Sequence, residues 1–366
     1  MATTVTKIID PDNGSGTDYT SLAAWEAGQQ GDLTGVRDEI AVAKCRCTGG
    51  TADTTAVTID GWTTSSTQYI KIWTDPAESY RHNGTWQAGN KYRLLTASLY
   101  NGVITSAEGY VVLEGLQLNN SGSRAEQAMG FRNTASSGTA ELSISKCIIL
   151  GSGTGTPTYN VGIWLDGFTG FTAKIWNNII YDWQVGIRDV SYTNPSYYIY
   201  NNTIYGCTTY GIVFEGLGGT TRLKNNLCNG NGTDYSLSGM GGTREYVTNL
   251  SEDTSSPNDT LDSKAVSFSN EGGDDFHLAA ADTAAKDAGT DLSADGALAF
   301  SDDIDGSTRS GTWDIGADEY VPLWRPVRIR ILIDTSGDLP SSDFQLEAAH
   351  RPNGGEFGPF RKVTNA

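Results

Sequence analysis

The sequence predicts an all-β chain wound as a parallel β-helix, on three observations. Asn-Asn pairs begin at Asn177, Asn201 and Asn225, inside the runs IWNNIIYDW, IYNNTIYGC and LKNNLCNGN, a spacing of 24 residues twice over. A Gly-Ile pair begins at Gly162, Gly186 and Gly211, with spacings of 24 and 25. The third is composition: 44 glycines in 366 residues, 19% charged and 38% hydrophobic, which suits strands and turns rather than a helical bundle or a disordered chain. Self-similarity at such a period marks a stack of like units, each burying its face against the next.

Registered on the asparagines, Ile175, Ile199 and Leu223 stand two residues before each pair, and Ile180, Ile204 and Cys228 two after its second member. Each unit is a set of short alternating strands divided by Gly, Asn, Ser and Thr turns. A leucine-rich repeat would need an L-x-x-L-x-L-x-x-N frame, which is missing. A β-helix needs turns that take a left-handed residue, and Asn and Gly tolerate that conformation. One Asn of each pair is expected to bend the strand, its amide bonding to the Asn of the next coil. Asn177, Asn178, Asn201, Asn202, Asn225 and Asn226 thus form a structural ladder.

The other elements follow in chain order. TDYTSLAAWEAGQQG reads as a short amphipathic helix with Leu22 and Trp25 on one side and Gly28 as its stop, placed to plug the open end of the coil stack. AVTIDGW (56–62), QYIKIW (68–73) and YRLLTAS (92–98) read as irregular early coils, GYVVLEGLQLNN (109–120) and AELSISKCIILG (140–151) as more regular ones. Nine or ten coils at about 4.8 Å each would make a rod on the order of 45 Å. The expected division is an N-terminal cap (1–32), coils (33–250), irregular terminal coils and cap (251–322), and a C-terminal antiparallel β appendage (323–366) for attachment or oligomerisation. In the appendage PVRIRILID, FQLEAAHR and FGPFRKV read as strands.

Bulk properties narrow the function. A net charge of -18 repels phosphates and anionic lipid, so neither nucleic acid nor membrane is an expected partner. No apolar run of about 18 residues is present, and the N-terminal stretch lacks the pattern of a secretory signal. The cysteines, Cys45, Cys47, Cys147, Cys207 and Cys228, are odd in number and lack metal-site spacing, so they read as free, buried hydrophobes.

The I-x-N-N-x-I and Gly-Ile units resemble the right-handed parallel β-helix repeat proteins, the pectate-lyase-like superfamily. DIDGSTRSGTWDIGADEY is similar to the ending of many phage and environmental members, and DYTSLAAWEAGQQGDL and ESYRHNGTW look like phage-encoded ones. The likeness spans roughly residues 1–320. It implies a right-handed coil and a choice among polysaccharide lyases and hydrolases, adhesins, and tailspike, fibre or capsid-decorating proteins. Fold alone does not choose.

Candidate sites come from register. Asp166, Val190 and Glu215 each lie four residues after a repeated glycine, so Asp166 and Glu215 face outward two coils apart, about 9.6 Å. That separation is near the upper limit for an inverting glycosidase pair. Arg188 stands between them, and a cation there favours charged carboxylates, whereas such an enzyme keeps one protonated. Trp164, Trp176, Tyr200 and Tyr205 are candidates for stacking on sugar rings, with a ladder that stabilises stacked strands as the preferred reading of such a row. SDDIDG offers Asp303 and Asp305 as weak metal candidates at calcium-loop spacing, but Ser301 and Thr312 occupy positions that a calcium loop gives to Asp and Glu. An acidic cap around Arg309 is the preferred reading, and no cofactor is expected. His82 reads as a turn-stabilising residue. Asn201-Asn202-Thr203 matches a glycosylation acceptor by chance in so Asn-rich a chain.

The leading expectation is a non-enzymatic phage virion protein, capsid-decorating or tail/fibre, expected as a homotrimer on the virion exterior and extracellular after release. Its expected partners are other virion proteins and host-surface glycan. The alternatives are a polysaccharide-degrading enzyme acting through Asp166 and Glu215, and a bacterial surface adhesin.

Overall fold

A computed structural model describes residues 2–97, 101–121, 128–135, 140–152, 160–191, 193–216, 218–237, 242–321, 347–348 and 361–362. The chain divides into two compact units, Met1–Tyr320 and Val321–Ala366. The first is a right-handed parallel β-solenoid built from three sheets. The first sheet has nine strands, running from Thr3–Ile9 through Phe171–Trp176, Ser196–Tyr200 and Thr220–Lys224 to Thr243–Val247. The second and third have seven each, from Arg93–Thr96 to Leu250–Ser251 and from Val57–Ile59 to Tyr235–Ser236. Every pairing within these sheets is parallel, as a coil that always advances in one direction requires.

The stacking register is the one that the repeats predict. Ile144, Ile175, Ile199 and Leu223 are successive partners in the first sheet, and Ile163, Ile187 and Ile212 in the third, all fully buried. The Gly-Ile repeat has a steric cause. A Cβ on Gly162, Gly186 or Gly211 would lie 2.6 Å from the carbonyl oxygen of the next coil and press on an isoleucine or cysteine of the core. Only glycine lets adjacent coils close at that point.

The count of coils is lower than nine or ten. Seven coils carry all three sheets, because the first two strands of the nine-stranded sheet have no second-sheet partners and are joined by the helix. That helix, Leu22–Gln29, buries Leu22 and Trp25 and is capped by Ser21, which accepts from the Ala24 amide at 3.1 Å. Gly28 does not stop it. The helix continues through Gly28, whose missing side chain makes room for the Tyr19 ring. Strand Thr3–Ile9 lies within the segment read as a cap, yet is already a rung of the first sheet.

Residues 251–320 begin as a cap and then depart from that expectation. Asn258 ends the last coil by accepting from the Asn249 backbone and side-chain amides at 2.9 and 3.0 Å. The chain then runs back along the outside of the coils. Phe276, Ile304 and Ala317 cover Ile148, Ile179 and Tyr181, while Leu278, Ala285 and Ile315 cover Leu227 and Leu250. The second sheet is therefore buried on both faces, which explains the unbroken apolar IIL and IIY runs. This strap was hidden by its polar, turn-rich sequence.

The second unit contains an antiparallel pair, Glu347–Ala348 with Arg361–Lys362, inside the FQLEAAHR and FGPFRKV segments. PVRIRILID lies outside the described residues. No described helix is long and apolar enough to cross a membrane.

Candidate functional site

The Asn-Asn pairs sit at the corner between the first and second sheets, and each pair splits two duties that were expected of a single residue. The first member makes the turn: φ is 53° at Asn177, 48° at Asn201 and 52° at Asn225. The second member makes the ladder. Asn178 Nδ2 donates to Asn202 Oδ1 at 2.9 Å, Asn202 to Asn226 at 3.0 Å, and Asn226 to Asn249 at 2.9 Å. Each Oδ1 also accepts the backbone N–H of the preceding coil, so no amide in the column is idle.

The first asparagines point out of the coil and hold the strap. Asn177 Nδ2 donates to the Asp302 carbonyl at 2.7 Å, Asn201 to those of Asp314 and Gly316, and Asn225 to that of Thr290. Arg309, 4% exposed, completes the clasp. Its guanidinium donates to Asn177 Oδ1 at 3.1 Å, to Glu319 at 3.2 Å, and to the carbonyls of Asp302, Asp314, Gly316, Ala317 and Asp318. His82 joins from the far side, its Nε2 2.8 Å from the Lys146 carbonyl at the same corner, its Nδ1 accepting from the Gly84 amide. That bears on its reading as a turn residue.

The strap changes the aromatic row. Trp176, Tyr200 and Lys224 are register partners as the spacing requires. Tyr200, however, is fully buried beneath Leu292, Leu298 and Trp313, and Trp176 packs on Phe300 with ring centroids 6.4 Å apart. Tyr205 packs on Phe276 at 4.6 Å and its hydroxyl is held by Glu271. Trp164 lies under the Arg188 guanidinium, 4.9 Å from the ring centroid. A segment remote in sequence thus occupies the place where a ligand would stack on Trp176, Tyr200 and Tyr205, while Trp164 is met by an arginine of the neighbouring coil.

Asp166 and Glu215 fall where register puts them, outward and exposed, following the partnered row Leu165, Asp189 and Phe214. Arg188 donates to Glu215 at 3.1 and 2.7 Å, and the Glu215 side chain is 49% exposed. A general acid needs a dry pocket that keeps its proton. Glu215 instead has a cation and water.

Two features escaped the sequence reading. Tyr69, Tyr110 and Glu141 line up one residue before the partnered Ile70, Val111 and Leu142, bordering with Ser66 and Ser143 a groove of about 200 Å³ on the uncovered side of the first sheet. Tyr110 holds φ 54°, an uncommon conformation for a bulky residue. Asp189 points inward at a position otherwise apolar, 2% exposed, with Tyr197 Oη at 2.7 Å and the Ser191 amide at 3.0 Å. Burial pushes its carboxyl above the usual range.

Asp303 and Asp305 play different parts. Asp303 accepts the amides of Asp305, Ser307 and Glu319 at 3.0, 2.7 and 3.3 Å, and burial, with Asp318 and Asp305 beside it, pushes its carboxyl up to about 7. It staples the turn. Asp305 faces His277, whose Nε2 is 3.1 Å away. All five cysteines are free and buried, and burial pushes the thiols up, to about 11 at Cys47 and about 12 at Cys147 and Cys207. With that geometry in hand, comparison with known protein families and with curated proteins finds no match for this chain.

Proposed function

We propose that the chain is a non-enzymatic structural protein of a phage virion, displayed on the exterior as a capsid-decorating or tail component. The observation that carries this reading is the clasped corner. A chain that folds 70 residues back along its own coils, and closes them with a buried arginine, is built for rigidity at the expense of access. Support comes also from the separate unit Val321–Ala366, a natural place for attachment or trimer contact. Host-surface glycan would meet the rod at the Tyr69–Tyr110 groove, where two aromatic rings stand beside Glu141 and Ser143. The polysaccharide-degrading alternative is weakened by the Arg188–Glu215 pair.

Virions purified on a density gradient and analysed by mass spectrometry test the proposal directly. The protein is expected in the virion band, and its absence from virions of the phage that encodes it would end the reading. Reducing-sugar release from capsular polysaccharide that Asp166→Asn abolishes would replace it with the enzymatic one. Light scattering of the purified chain is expected to give three times 39.1 kDa.

A further inference from the structure

Four stretches remote in sequence converge beside the clasp: Arg81–Gly84, Asp275–His277, Asp303–Gly306 and Asp314–Glu319. We propose that His277 Nε2, Asp305 and Asp318 form a binding site for one divalent cation of the Zn²⁺ class. This goes beyond the structural role proposed above and does not depend on it.

The donor atoms carry the first part of the case. One imidazole nitrogen and two carboxylate oxygens, from three separate segments, lie within 4.8 Å of one another. Nε2 and Asp305 Oδ2 are already 3.1 Å apart, joined through a proton that an entering ion would displace to solvent. Bonds of 2.0–2.2 Å in a tetrahedral ion set neighbouring donors about 3.4 Å apart, so one edge of the polyhedron is nearly formed and the third donor closes by a shift of at most about 1.4 Å. A mixed nitrogen and oxygen set favours Zn²⁺ and its first-row neighbours over Ca²⁺ or Mg²⁺, which take oxygen.

The surroundings carry the second part. Asp275 Oδ1 lies 2.5 Å from His277 Nδ1. A carboxylate behind the ring fixes the tautomer and aims Nε2 at the metal, the arrangement typical of ligating histidines. Asp318 is 6% exposed and takes a single hydrogen bond, from the Leu278 amide at 2.8 Å; among the described residues its second oxygen receives none. That oxygen is not sealed from solvent, so it is open to an entering cation. Gly84, at φ +82°, forms the remaining wall. A Cβ there would sit 2.3 Å from Nε2 and 2.7 Å from Asp305 Oδ1, so only a glycine leaves the site open.

The full-length chain, stripped with chelator and titrated with Zn²⁺ by calorimetry, is expected to bind one equivalent at this site. Asp318→Asn and Asp305→Asn should each weaken that binding roughly tenfold or more. Thermal unfolding should show a matching upward shift with Zn²⁺ in the parent chain and little with Ca²⁺ at the same concentration. Asp305 is partly exposed, so its variant keeps the test valid if Asp318→Asn fails to fold. No uptake by the parent chain, or unchanged affinity in Asp305→Asn, would overturn the assignment. The second outcome would move any bound ion to the cysteine thiols or to the surface.

Discussion

The corner between the first and second sheets is held from inside and from outside by two different designs. Inside, one amide per coil repeats the same bonds, Asn178 to Asn202 to Asn226 to Asn249, with partners 23 or 24 residues apart. Outside, apart from one bond on the same beat from Asn225 to Asn201, the contacts join unlike residues, with Asn225 reaching Thr290 across 65 positions and Arg309 reaching Asn177 across 132. Repetition spreads the load inside, while the outer clasp concentrates it on a few side chains. The inner column should therefore tolerate a single loss as a local defect, and the clasp should fail as a unit.

Arg309→Met is the largest test of that contrast. The change removes a buried cation from Glu319 and takes one donor from each of five carbonyls, of which Asp302, Asp314 and Gly316 keep an asparagine donor. Breaking a buried pair in this way costs about 3–5 kcal/mol. Hydrogen exchange should show the strap amides, such as Gly316 N bonded to the Asn225 carbonyl, losing protection while the Asn202 amide keeps it. Equal loss on both sides of the corner would mean that the coils and strap are one cooperative unit.

Asn202→Ala strikes the inner side. Its side chain donates to the Ile175 carbonyl and to Asn226, and accepts from the Asn178 backbone and side-chain amides. Stranding those buried groups costs about 2–4 kcal/mol at 1–3 for each unsatisfied group, partly relieved by water. Asn201→Ala, one residue away, should cost about 1–2 kcal/mol for forcing alanine into the left-handed turn. Asn201→Gly keeps the turn and loses the outward amide together with the Oδ1 that accepts from Asn225 at 3.0 Å. Chemical denaturation of the three variants ranks the duties, and a larger loss for Asn201→Gly than for Asn201→Ala would contradict the division.

That same contrast explains what could be read from the sequence. The coils were legible because a period repeats its own evidence: Ile175, Ile199 and Leu223 each point to the others, and the asparagines stand on the same beat. The Gly-Ile repeat was visible but its cause was not, since the carbonyl that Gly162 approaches belongs to the next coil. The strap left no periodic trace. Its meeting with Tyr200, Asn177 and Gly84 depends on where a turn-rich chain travels, which no local pattern encodes. For this reason the aromatic row was placed correctly in register and wrongly in exposure. YRHNGTW and DIDG lie far apart in the chain, and nothing in their spacing shows that Gly84 and Asp305 face the same histidine.

A smaller effect separates the outer clasp from the inner ladder by pH. Burial, then Arg81 beside it, pushes His82 down to about 3, so the ring is neutral in the fold. The unfolded chain protonates near 6.5 and binds more protons below that pH. Stability from this group is therefore complete above about 6.5 and is lost as pH falls from there towards 3, at up to about 1.4 kcal/mol per pH unit. In His82→Gln the slope of unfolding free energy between pH 6.5 and 4.5 should be shallower than in the parent chain. The inner asparagines do not titrate, so Asn202→Ala should lower the curve without changing that slope. Identical slopes for His82→Gln and the parent would show that the ring is not the titrating element.

The smallest effect belongs to the third sheet, which neither the ladder nor the clasp reaches. Glu215 is half exposed, and its bonds to Arg188 at 2.7 and 3.1 Å form a surface ion pair across neighbouring coils. Pairs of this kind contribute about 0–1 kcal/mol, because water already solvates both charges and two long side chains must be held in one geometry. Glu215→Gln keeps the shape and removes the charge, so stability should change by less than about 1 kcal/mol and the difference should shrink further in high salt. The comparison gains from this variant because it separates proximity from burial. Glu215 is as close to its cation as Glu319 is to Arg309, at 2.7 against 3.2 Å, yet the second pair is dry and shared among many partners. If Glu215→Gln destabilised the chain as strongly as Arg309→Met, the clasp would owe nothing to burial, and the contrast between the two sides of the corner would lose its physical basis.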